Sequence, residues 1–568
     1  MNGLEFVLSR PWTRFYDKSV NPNITAPRIS LPDFFDQACD QYSEKVACVF
    51  LDTSFTFSAL KQYVTRFATA LSKLGVGKGS NVVILLPNSV QFIVAYYGTL
   101  KTGGTVVPIN PLSTASEIAQ LCSLSSAAAI VCLDIFVDSV IEALPKTNLK
   151  HVIVTNVADH LPSLKKTLGK LLKKIPSKKL PPHPSIKFYL DMLKTSEEKL
   201  VVEIDPEKDL ASLQFTGGTT GFPKGVMLTH ANILSNIFQM YEMIKPYVVE
   251  AREVFAALLP FYHIYGQTVL IGTGLTKGNK LIIFPRLELE KFMKDLSRYA
   301  VTVFPGVPTL FNVMSKHKLA EEVKYPGLKL VISGADMLPS EVADEFERKF
   351  GKKIVEGYGL TEASPVTHVN PPDRTKKGSF GIPIPSTLAA IVDPQTREFL
   401  LPGQVGEIAV SVPQVMQGYL SMQEPHVFIM EAGRRWLLTG DLGRVDEEGY
   451  FYFVERVKDV IKHKGFTVFP AEIEKVLYET DAVKEACVVG VPDPVVGEKI
   501  VAAVVLKPDR KKSEEVERLM ELCSKKLAEY KRPSEFVFVD ELPKTLVGKM
   551  LRRRVREIVL EKAQQRQA

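Results

Sequence analysis

The stretch Phe215-Thr-Gly-Gly-Thr-Thr-Gly-Phe-Pro-Lys-Gly225 places three glycines and three threonines ahead of Lys224 and follows a short β-rich run. Glycines let backbone N–H groups approach phosphate oxygens, and hydroxyl groups and an ammonium complete the cradle. A Walker A loop has Ser or Thr directly after its lysine, whereas this chain has Gly225 there. The stretch therefore predicts a phosphate-binding loop of another kind.

Short β-rich runs recur on both sides of this loop, most of them separated by helical stretches. This alternation of strand-like and helical segments predicts an α/β fold with stacked layers of largely parallel strands. A helix is expected over 90–100. The predicted strands lie at 81–86, 103–111, 127–133, 212–215, 254–259, 280–284, 301–304, 328–332 and 353–355.

The pattern of predicted helices and strands changes twice toward the C-terminus. From about 385 to 456, strand-like runs are joined by Gly, Asp and Pro turns with no long helix, which predicts a β-rich subdomain. After Arg456 a compact α+β unit is expected, closed by a basic helix. The predicted organisation is a large N-terminal domain of stacked mixed sheets with helices, residues 1–456, and a small C-terminal domain, residues 457–568.

Composition narrows the function class. The 568 residues carry 71 Lys+Arg against 64 Asp+Glu, a net charge of +7 that is too mild to indicate nucleic-acid binding. The six cysteines form no CxxC pair and no zinc-spaced cluster. No signal peptide and no apolar run long enough to span a membrane is found, so a cytoplasmic protein is expected.

One segment is unusually basic. Residues 161–180, LPSLKKTLGKLLKKIPSKKL, contain seven lysines and no acid, with leucines recurring at helical spacing. Two interpretations remain open: a solvated surface helix, or an interfacial helix in peripheral contact with anionic membrane on its inner face.

Six ordered blocks, of which the phosphate loop is the first, give the chain a family resemblance over about residues 30–560. They resemble those of the adenylate-forming superfamily of acyl-CoA synthetases, luciferases and peptide-synthetase adenylation domains. The further blocks are Pro260-Phe-Tyr-His-Ile-Tyr-Gly266, Gly357-Tyr-Gly-Leu-Thr-Glu362, Thr439-Gly-Asp441, Arg456-Val-Lys-Asp459 with Ile461-Lys-His-Lys-Gly465, and Pro543-Lys-Thr-Leu-Val-Gly-Lys549.

The resemblance implies two half-reactions on one site. A carboxylate first attacks the α-phosphorus of ATP to give acyl-adenylate and pyrophosphate, and a thiol then displaces AMP. The implied catalytic residues are Lys549, Lys224, Thr361 and His263. The implied ATP and AMP contacts are Thr216, Gly217, Gly218, Thr219, Thr220, Gly221, Gly334, Ala335, Gly357, Tyr358, Gly359, Leu360, Thr361, Asp441, Arg456 and Lys549.

Magnesium is the implied metal, with Glu362 as ligand and Thr216 beside it, because hard cations take oxygen ligands. A buried glutamate without a partner would be costly, which favours a metal role for Glu362 over a structural one. Where relatives have Gly or Asp before the hinge-block arginine, this chain has Glu455.

Coenzyme A is the implied thiol, since Lys464 and Gly465 match the positions along which it passes in CoA-ligase relatives. Because Lys549 must leave before the thiol arrives, the resemblance implies a mobile C-terminal domain with its hinge at Lys458. An acyl–carrier-protein ligase is the main alternative acceptor class. An inactive membrane-associated scaffold is the alternative of another class.

The acid is expected to be a fatty acid, long-chain in preference. The run 356–370 and Gly378-Ser-Phe-Gly-Ile-Pro383 resemble bacterial and archaeal long-chain fatty-acyl-CoA synthetases. Aryl-acid ligases of the coumarate type share the His-Ile-Tyr-Gly block and remain an alternative. The sequence leaves the oligomeric state open, a homodimer included.

Overall fold

The computed structural model describes residues 2–162, 165, 176–216, 223–421, 425–508, 510–544 and 550–567. Contacts between Cα atoms divide the chain into two compact units. The large unit consists of residues 10–388 and 410–437, and the small unit of residues 1–9, 389–409 and 438–568. The predicted boundary at residue 456 stays a prediction.

The helices and strands of the described residues are as follows. The strands are β1 (Val46–Phe50), β2 (Thr53–Thr56), β3 (Asn81–Leu85), β4 (Thr105–Pro108), β5 (Ala129–Leu133), β6 (His151–Thr155), β7 (Ile186–Phe188), β8 (Leu210–Thr216), β9 (Lys224–Thr229), β10 (Val254–Ala257), β11 (Lys280–Ile283), β12 (Val303–Gly306), β13 (Leu330–Ser333), β14 (Ile354–Gly359), β15 (Val366–Val369), β16 (Ile382–Pro383), β17 (Leu388–Val392), β18 (Gly406–Ser411), β19 (Gly418–Tyr419), β20 (Phe428–Glu431), β21 (Arg434–Val445), β22 (Phe451–Arg456), β23 (Ile461–His463), β24 (Phe466–Val468), β25 (Val483–Asp493), β26 (Gly497–Leu506) and β27 (Glu535–Phe538). The α-helices are α1 (Gly3–Ser9), α2 (Leu31–Gln41), α3 (Phe57–Lys73), α4 (Val90–Lys101), α5 (Ala115–Leu124), α6 (Val137–Ala143), α7 (Tyr189–Met192), α8 (His230–Ile244), α9 (Leu289–Arg298), α10 (Pro308–Lys316), α11 (Leu319–Glu322), α12 (Ser340–Phe350), α13 (Pro470–Leu477), α14 (Lys512–Lys526) and α15 (Arg552–Gln567).

Two sheets form the frame of the large unit. The nine-stranded sheet has the order β16-β15-β14-β13-β12-β10-β11-β1-β2, parallel from β14 to β1 with antiparallel strands at both edges. A cluster of buried aliphatic and aromatic side chains packs its strands against α9, α10 and α12. Strands buried on both faces are the usual property of parallel sheets, which explains the continuous apolar runs in the sequence.

The eight-stranded sheet carries the predicted phosphate loop. Its order is β19-β9-β8-β4-β3-β5-β6-β7, parallel from β8 to β7, with β9 and β19 added antiparallel. The helix that follows the loop hairpin, α8, begins with a capping box in which Thr229 and Asn232 exchange side-chain and backbone hydrogen bonds.

The small unit has its own core. Strands β24, β23, β26 and β25 form a sheet to which β27 adds in parallel, and the buried side chains of this sheet pack on α13, α14 and α15. In the same unit, the end of β21 pairs antiparallel with β22. The predicted fold class, mixed α/β with a C-terminal α+β part, is confirmed.

Two further features of the described residues are the hydropathy of the helices and the state of the cysteines. In that part of the chain, no helix has the length and hydropathy that a membrane crossing needs. All six cysteines are buried thiols without a disulfide.

Arg552 anchors the first turn of α15, three residues after Lys549. Its guanidinium makes a two-point ion pair with Glu474, in which Nη2 lies 2.9 Å from Oε2. Nη1 also donates to the carbonyl oxygen of Val488 at 3.0 Å. Glu455 and Asp459, on either side of the predicted hinge, lie 3.7 and 3.8 Å away. The helix start that follows the Lys549 loop is thus held by one largely buried charge cluster.

Replacing Arg552 should destabilise the small unit. Arg552→Met keeps the length of the side chain but leaves Glu474 without its ion-pair partner, and we expect a loss of about 3 kcal/mol in unfolding free energy. Arg553→Met is the matched control, since Arg553 pairs with Glu557 on the exposed side of α15 at 3.3 Å; its effect should stay below about 0.5 kcal/mol. Urea denaturation followed by circular dichroism compares the two, and equal losses would contradict the anchoring role.

Glu356 lies in β14, directly before the predicted adenine segment, with 9% of its surface exposed. Burial raises the pKa of its carboxyl group to about 7, and the nearby Asp336 adds to this, while the hydrogen bond from the Leu338 N–H opposes it. A raised pKa means that the folded state favours the protonated form. The resulting stabilisation is full below the ordinary pKa of a glutamate and is lost as pH rises through about 7.

Glu356→Gln should therefore remove this pH dependence. The amide keeps the shape and the acceptor for Leu338 but never ionises, so the variant should gain on the wild type between pH 5 and pH 8 by on the order of 3 kcal/mol. Melting temperatures across that range measure the gain. Glu347→Gln, on the exposed face of α12, is the control and should show a constant difference. A constant difference for Glu356→Gln as well would refute the assignment.

Candidate active site

The phosphate loop is the connection of a β-hairpin. Thr216 ends β8 and stands directly opposite Lys224, the first residue of β9, and Phe215 stands opposite Gly225. The pairing fixes the hydroxyl-bearing and ammonium-bearing positions at the two bases of the loop. The predicted contacts Gly217, Gly218, Thr219, Thr220 and Gly221 lie outside the described residues.

Glu362 lies on a single helical turn, Thr361–Ala363, that follows β14. Its side chain is half-buried, and the Tyr419 hydroxyl donates a hydrogen bond of 2.8 Å to Oε1. Glu362 is therefore neither fully buried nor without a partner: the turn leaves it partly open to solvent, and a distant strand supplies a donor. Its role as a metal ligand stays a prediction. Thr361 is half-buried beside it.

Tyr419 is the residue of this site that the sequence analysis missed. It lies on β19, which pairs with β9, and its ring centroid is 5.0 Å from the Lys224 ammonium. The same side chain thus contacts both Lys224 and Glu362. Nothing in a single sequence marks a Gly-Tyr pair so far from the loop as part of its surroundings.

The predicted adenine segment continues β14 through Gly357 and Tyr358 to Gly359 and Leu360. The Tyr358 ring is stacked on Phe380, with centroids 4.5 Å apart. A Cβ at Gly359 would come within 2.1 Å of the Pro365 carbonyl oxygen, so only glycine fits this close backbone approach.

Gly334 and Ala335 follow β13. Gly334 is buried, and a Cβ there would meet the Tyr265 hydroxyl at 3.2 Å, so this glycine packs against the predicted aromatic–histidine block. Ala335 is exposed and has φ of 69°, a left-handed conformation. The Tyr265 hydroxyl is buried and has no hydrogen-bond partner among the described residues.

His263 is exposed, and its Nδ1 accepts a hydrogen bond from the Tyr265 N–H at 3.1 Å. That bond restrains the orientation of the imidazole ring. His230 differs from it: it is buried, its Nδ1 accepts from the Leu31 N–H, and burial lowers its pKa to about 4. Packing accounts for His230.

In the small unit, Asp441 and Arg456 stand opposite each other on β21 and β22. Asp441 is buried, and its Oδ1 lies 3.2 Å from the Arg456 Nε. The neighbouring Glu455 accepts hydrogen bonds from the N–H groups of Arg456 and Ala471, each at 3.0 Å, which explains a carboxylate at this position.

The predicted hinge and CoA-binding residues are also in the small unit. Lys458 is exposed on the short turn Val457–Asp459. Lys464 and Gly465, with φ of 51° and 78°, form the exposed tip of the hairpin β23–β24. Lys549 lies outside the described residues; a bridge between Lys544 and Met550 closes the base of its loop.

The described residues fit a magnesium ion that takes one ligand from the protein and the others from the phosphates of a substrate and from water. They contain no group of three or more His, Cys, Asp or Glu side chains that could hold a metal. Glu362 supplies one accessible carboxylate, and Mg²⁺ in phosphoryl-transfer sites is bound by one or two carboxylates plus phosphate oxygens and water.

Of the basic segment 161–180, residues 163, 164 and 166–175 lie outside the described part.

Two family models match this chain. The model of the family described as AMP-binding enzyme matches residues 35–420, and that of the AMP-binding enzyme C-terminal domain matches residues 472–549.

Relatives match almost from end to end. A long-chain-fatty-acid–CoA ligase of Bacillus subtilis (strain 168) is 37% identical over 96% of this chain and 98% of its own length. A "Probable 4-coumarate–CoA ligase 1" of Dictyostelium discoideum is 32% identical over 95% and 97%. The crystal structure of ATP-bound MatB from Rhodopseudomonas palustris superimposes with a TM-score of 0.79 at 26% identity, covering 93% of this chain and 99% of that one. The chain therefore belongs to the AMP-binding enzyme family and is an adenylate-forming acyl-CoA ligase.

Proposed function

We propose that the acid this ligase activates is a long-chain fatty acid and that the acyl group passes to coenzyme A. The near full-length similarity to a long-chain ligase, at 37% identity, carries the proposal, since the coumarate-type relative is 32% identical. The cluster of Lys224, Tyr419 and Glu362 supports the adenylation step, because it gathers a cation and a carboxylate at the base of the phosphate hairpin.

In the first half-reaction, a carboxylate oxygen of the acid would bond to the α-phosphorus, and the bond from phosphorus to the pyrophosphate oxygen would break. Extra negative charge develops on oxygen in this transition state, so cations and donors must surround it. Lys224 and the loop 216–221 would hold the β- and γ-phosphates, and Thr361 and Lys549 would contact the α-phosphate. His263 would stand beside the acyl carboxylate.

Magnesium fits this step with Glu362 as its ligand, and Thr216 would be a second oxygen ligand. The ion would neutralise phosphate charge when bound. Glu362 would hold the cation, and its Oε1 accepts a hydrogen bond from the Tyr419 hydroxyl.

The adenosine part would be held by groups of two kinds. Tyr358, whose ring is stacked on Phe380, would flank the adenine together with Gly334 and Ala335. Asp441 would accept hydrogen bonds from the ribose hydroxyls, and Arg456, already paired with it, would reach the ribose or a phosphate.

In the second half-reaction, the thiol sulfur of coenzyme A would attack the acyl carbon, and AMP would leave with the electrons of the broken C–O bond. Lys464 and Gly465 would line the path of the thiol. We propose Lys458 as the pivot of a rotation that removes Lys549 from the site and brings these residues to it, because hinges concentrate backbone change in a few residues at element ends.

We also propose that segment 161–180 makes reversible contact with anionic membrane.

A profile of acids tests the substrate. We expect kcat/KM for CoA ligation to rise from acetate to the C16 and C18 acids, because each buried methylene contributes about 0.8 kcal/mol, or roughly fourfold, until the pocket is filled. Thioester formation measured with acids of increasing length and with coumarate gives the profile. Preference for coumarate would assign an aryl-acid ligase instead. Absence of pyrophosphate release with every acid tested would indicate the inactive scaffold.

Lys549→Ala should separate the half-reactions. An ammonium that contacts only the first transition state lowers only that barrier, so adenylate formation should fall by about 10²–10³-fold while thioester formation from preformed acyl-adenylate is retained. Lys526→Ala is the control: Lys526, the last residue of α14, pairs with Glu479, and its loss should leave both rates unchanged. Equal losses in the two half-reactions would contradict the assigned role.

A further inference from the structure

Tyr419 is placed by backbone pairing next to the phosphate hairpin. It stands opposite Val226 on β9, the Gln417 N–H donates to the Met227 carbonyl at 3.0 Å, and the Leu420 N–H donates to the Gly225 carbonyl at 2.7 Å. Side chains two residues apart on a strand share a face, so Lys224 and Val226 point to the same side. Diagonal neighbours across an antiparallel pair are within reach of long side chains, which brings the Lys224 ammonium over the Tyr419 ring.

The segment that carries Tyr419 is also tied to the Glu362 turn. The Met416 N–H donates to the Glu362 carbonyl at 2.8 Å, and the Ser364 hydroxyl donates to the Gln414 carbonyl at 2.9 Å. The Tyr419 hydroxyl then reaches the Glu362 carboxylate itself at 2.8 Å. Residues 414–420 therefore link the strand of Lys224 to the turn of Glu362 by main-chain bonds on both sides.

We propose that Tyr419 is a positioning residue for the adenylation step, which orients the magnesium-binding carboxylate of Glu362 through its hydroxyl and holds the Lys224 ammonium over its ring. The inference rests on the proposed roles of Glu362 and Lys224. It goes beyond them because it assigns to one aromatic side chain the relative placement of the cation ligand and the phosphate-binding lysine.

Two chemical properties of tyrosine suit this task. A hydroxyl donor fixes one oxygen of a carboxylate without adding a charge that would compete with a cation, and outer partners of this kind are worth about 10–100-fold in metal affinity. The ring face attracts an ammonium without neutralising it, so Lys224 keeps its charge for the phosphates. A carboxylate in place of the ring would instead form an ion pair with the lysine and weaken its hold on an anion.

Two substitutions separate these contributions. Tyr419→Phe keeps the ring under Lys224 and removes only the hydroxyl, whereas Tyr419→Leu removes both. The readout is the rise in melting temperature caused by ATP as Mg²⁺ is titrated, which reports binding and needs no turnover. Tyr419→Phe should raise the Mg²⁺ concentration for half-maximal protection by about 10-fold and leave protection at saturating Mg²⁺ near that of the wild type. Tyr419→Leu should in addition lower protection at saturating Mg²⁺.

The chain offers a matched control. Tyr452, in the small unit, also donates its hydroxyl to a carboxylate, Asp446 at 3.1 Å, and also carries a cation over its ring, Arg444 at 4.0 Å. Tyr452→Phe should leave the Mg²⁺ titration unchanged. A shift of the same size in Tyr452→Phe would mean that losing any such hydroxyl has this effect, and it would overturn the assignment.

A double substitution tests the route through Glu362. If Tyr419 acts by orienting that carboxylate, Tyr419→Phe should add nothing to the Mg²⁺ requirement of Glu362→Gln. Effects that multiply would show that the hydroxyl acts elsewhere and would refute the proposal. A melting temperature lowered equally at every Mg²⁺ concentration would do the same, as it would leave Tyr419 a purely structural role.

Failure of the proposed function can be told apart from failure of this inference. Wild-type protein that forms no acyl-CoA from any fatty acid contradicts the substrate but leaves the ATP and Mg²⁺ titration intact as a test. A normal titration in Tyr419→Phe contradicts the inference while acyl-CoA formation by the wild type stands.

Discussion

The antiparallel pairing of β8 with β9 is the constraint on which the rest of the candidate site depends. It places Thr216 opposite Lys224, at the two ends of the phosphate loop. Because β8 is also part of a parallel sheet buried on both faces, the hairpin has a rigid base. A site for a highly charged substrate benefits from such a base, since donors that are already oriented need no rearrangement when charge develops.

A third strand pairs with this hairpin and brings Tyr419 between two charged side chains, Lys224 and Glu362. β19 pairs with β9 and supplies Tyr419, whose hydroxyl and ring lie against groups of opposite charge. An aromatic side chain can contact an ammonium and a carboxylate at once because its face attracts cations and its hydroxyl donates to anions. The turn of Glu362 is thus tied to the loop by side-chain and main-chain bonds rather than by sequence proximity.

Much of the fold could be predicted because parallel strands buried on both faces read as continuous apolar runs. The strands β3, β5, β8 and β11 lie within one or two residues of their predicted positions. β21 was not predicted, although it carries Asp441, because Gly440, Asp441 and Gly443 are poor strand formers. Its neighbours override that local preference: Asp441 pairs with Arg456 on β22, and a Cβ at Gly443 would meet the Tyr452 carbonyl oxygen at 2.8 Å.

The sequence by itself determined the family and the order of the functional blocks, because the chemistry of phosphate binding requires particular residue types at close spacing. The phosphate loop and the pair Thr361 and Glu362 are local patterns of this kind. Only the tertiary structure decided the surroundings of Glu362, which are half-open and include the hydroxyl of a residue 57 positions later. The physical reason is that the contact depends on the register of β19 against β9, and that register follows from packing across the whole sheet rather than from any local pattern.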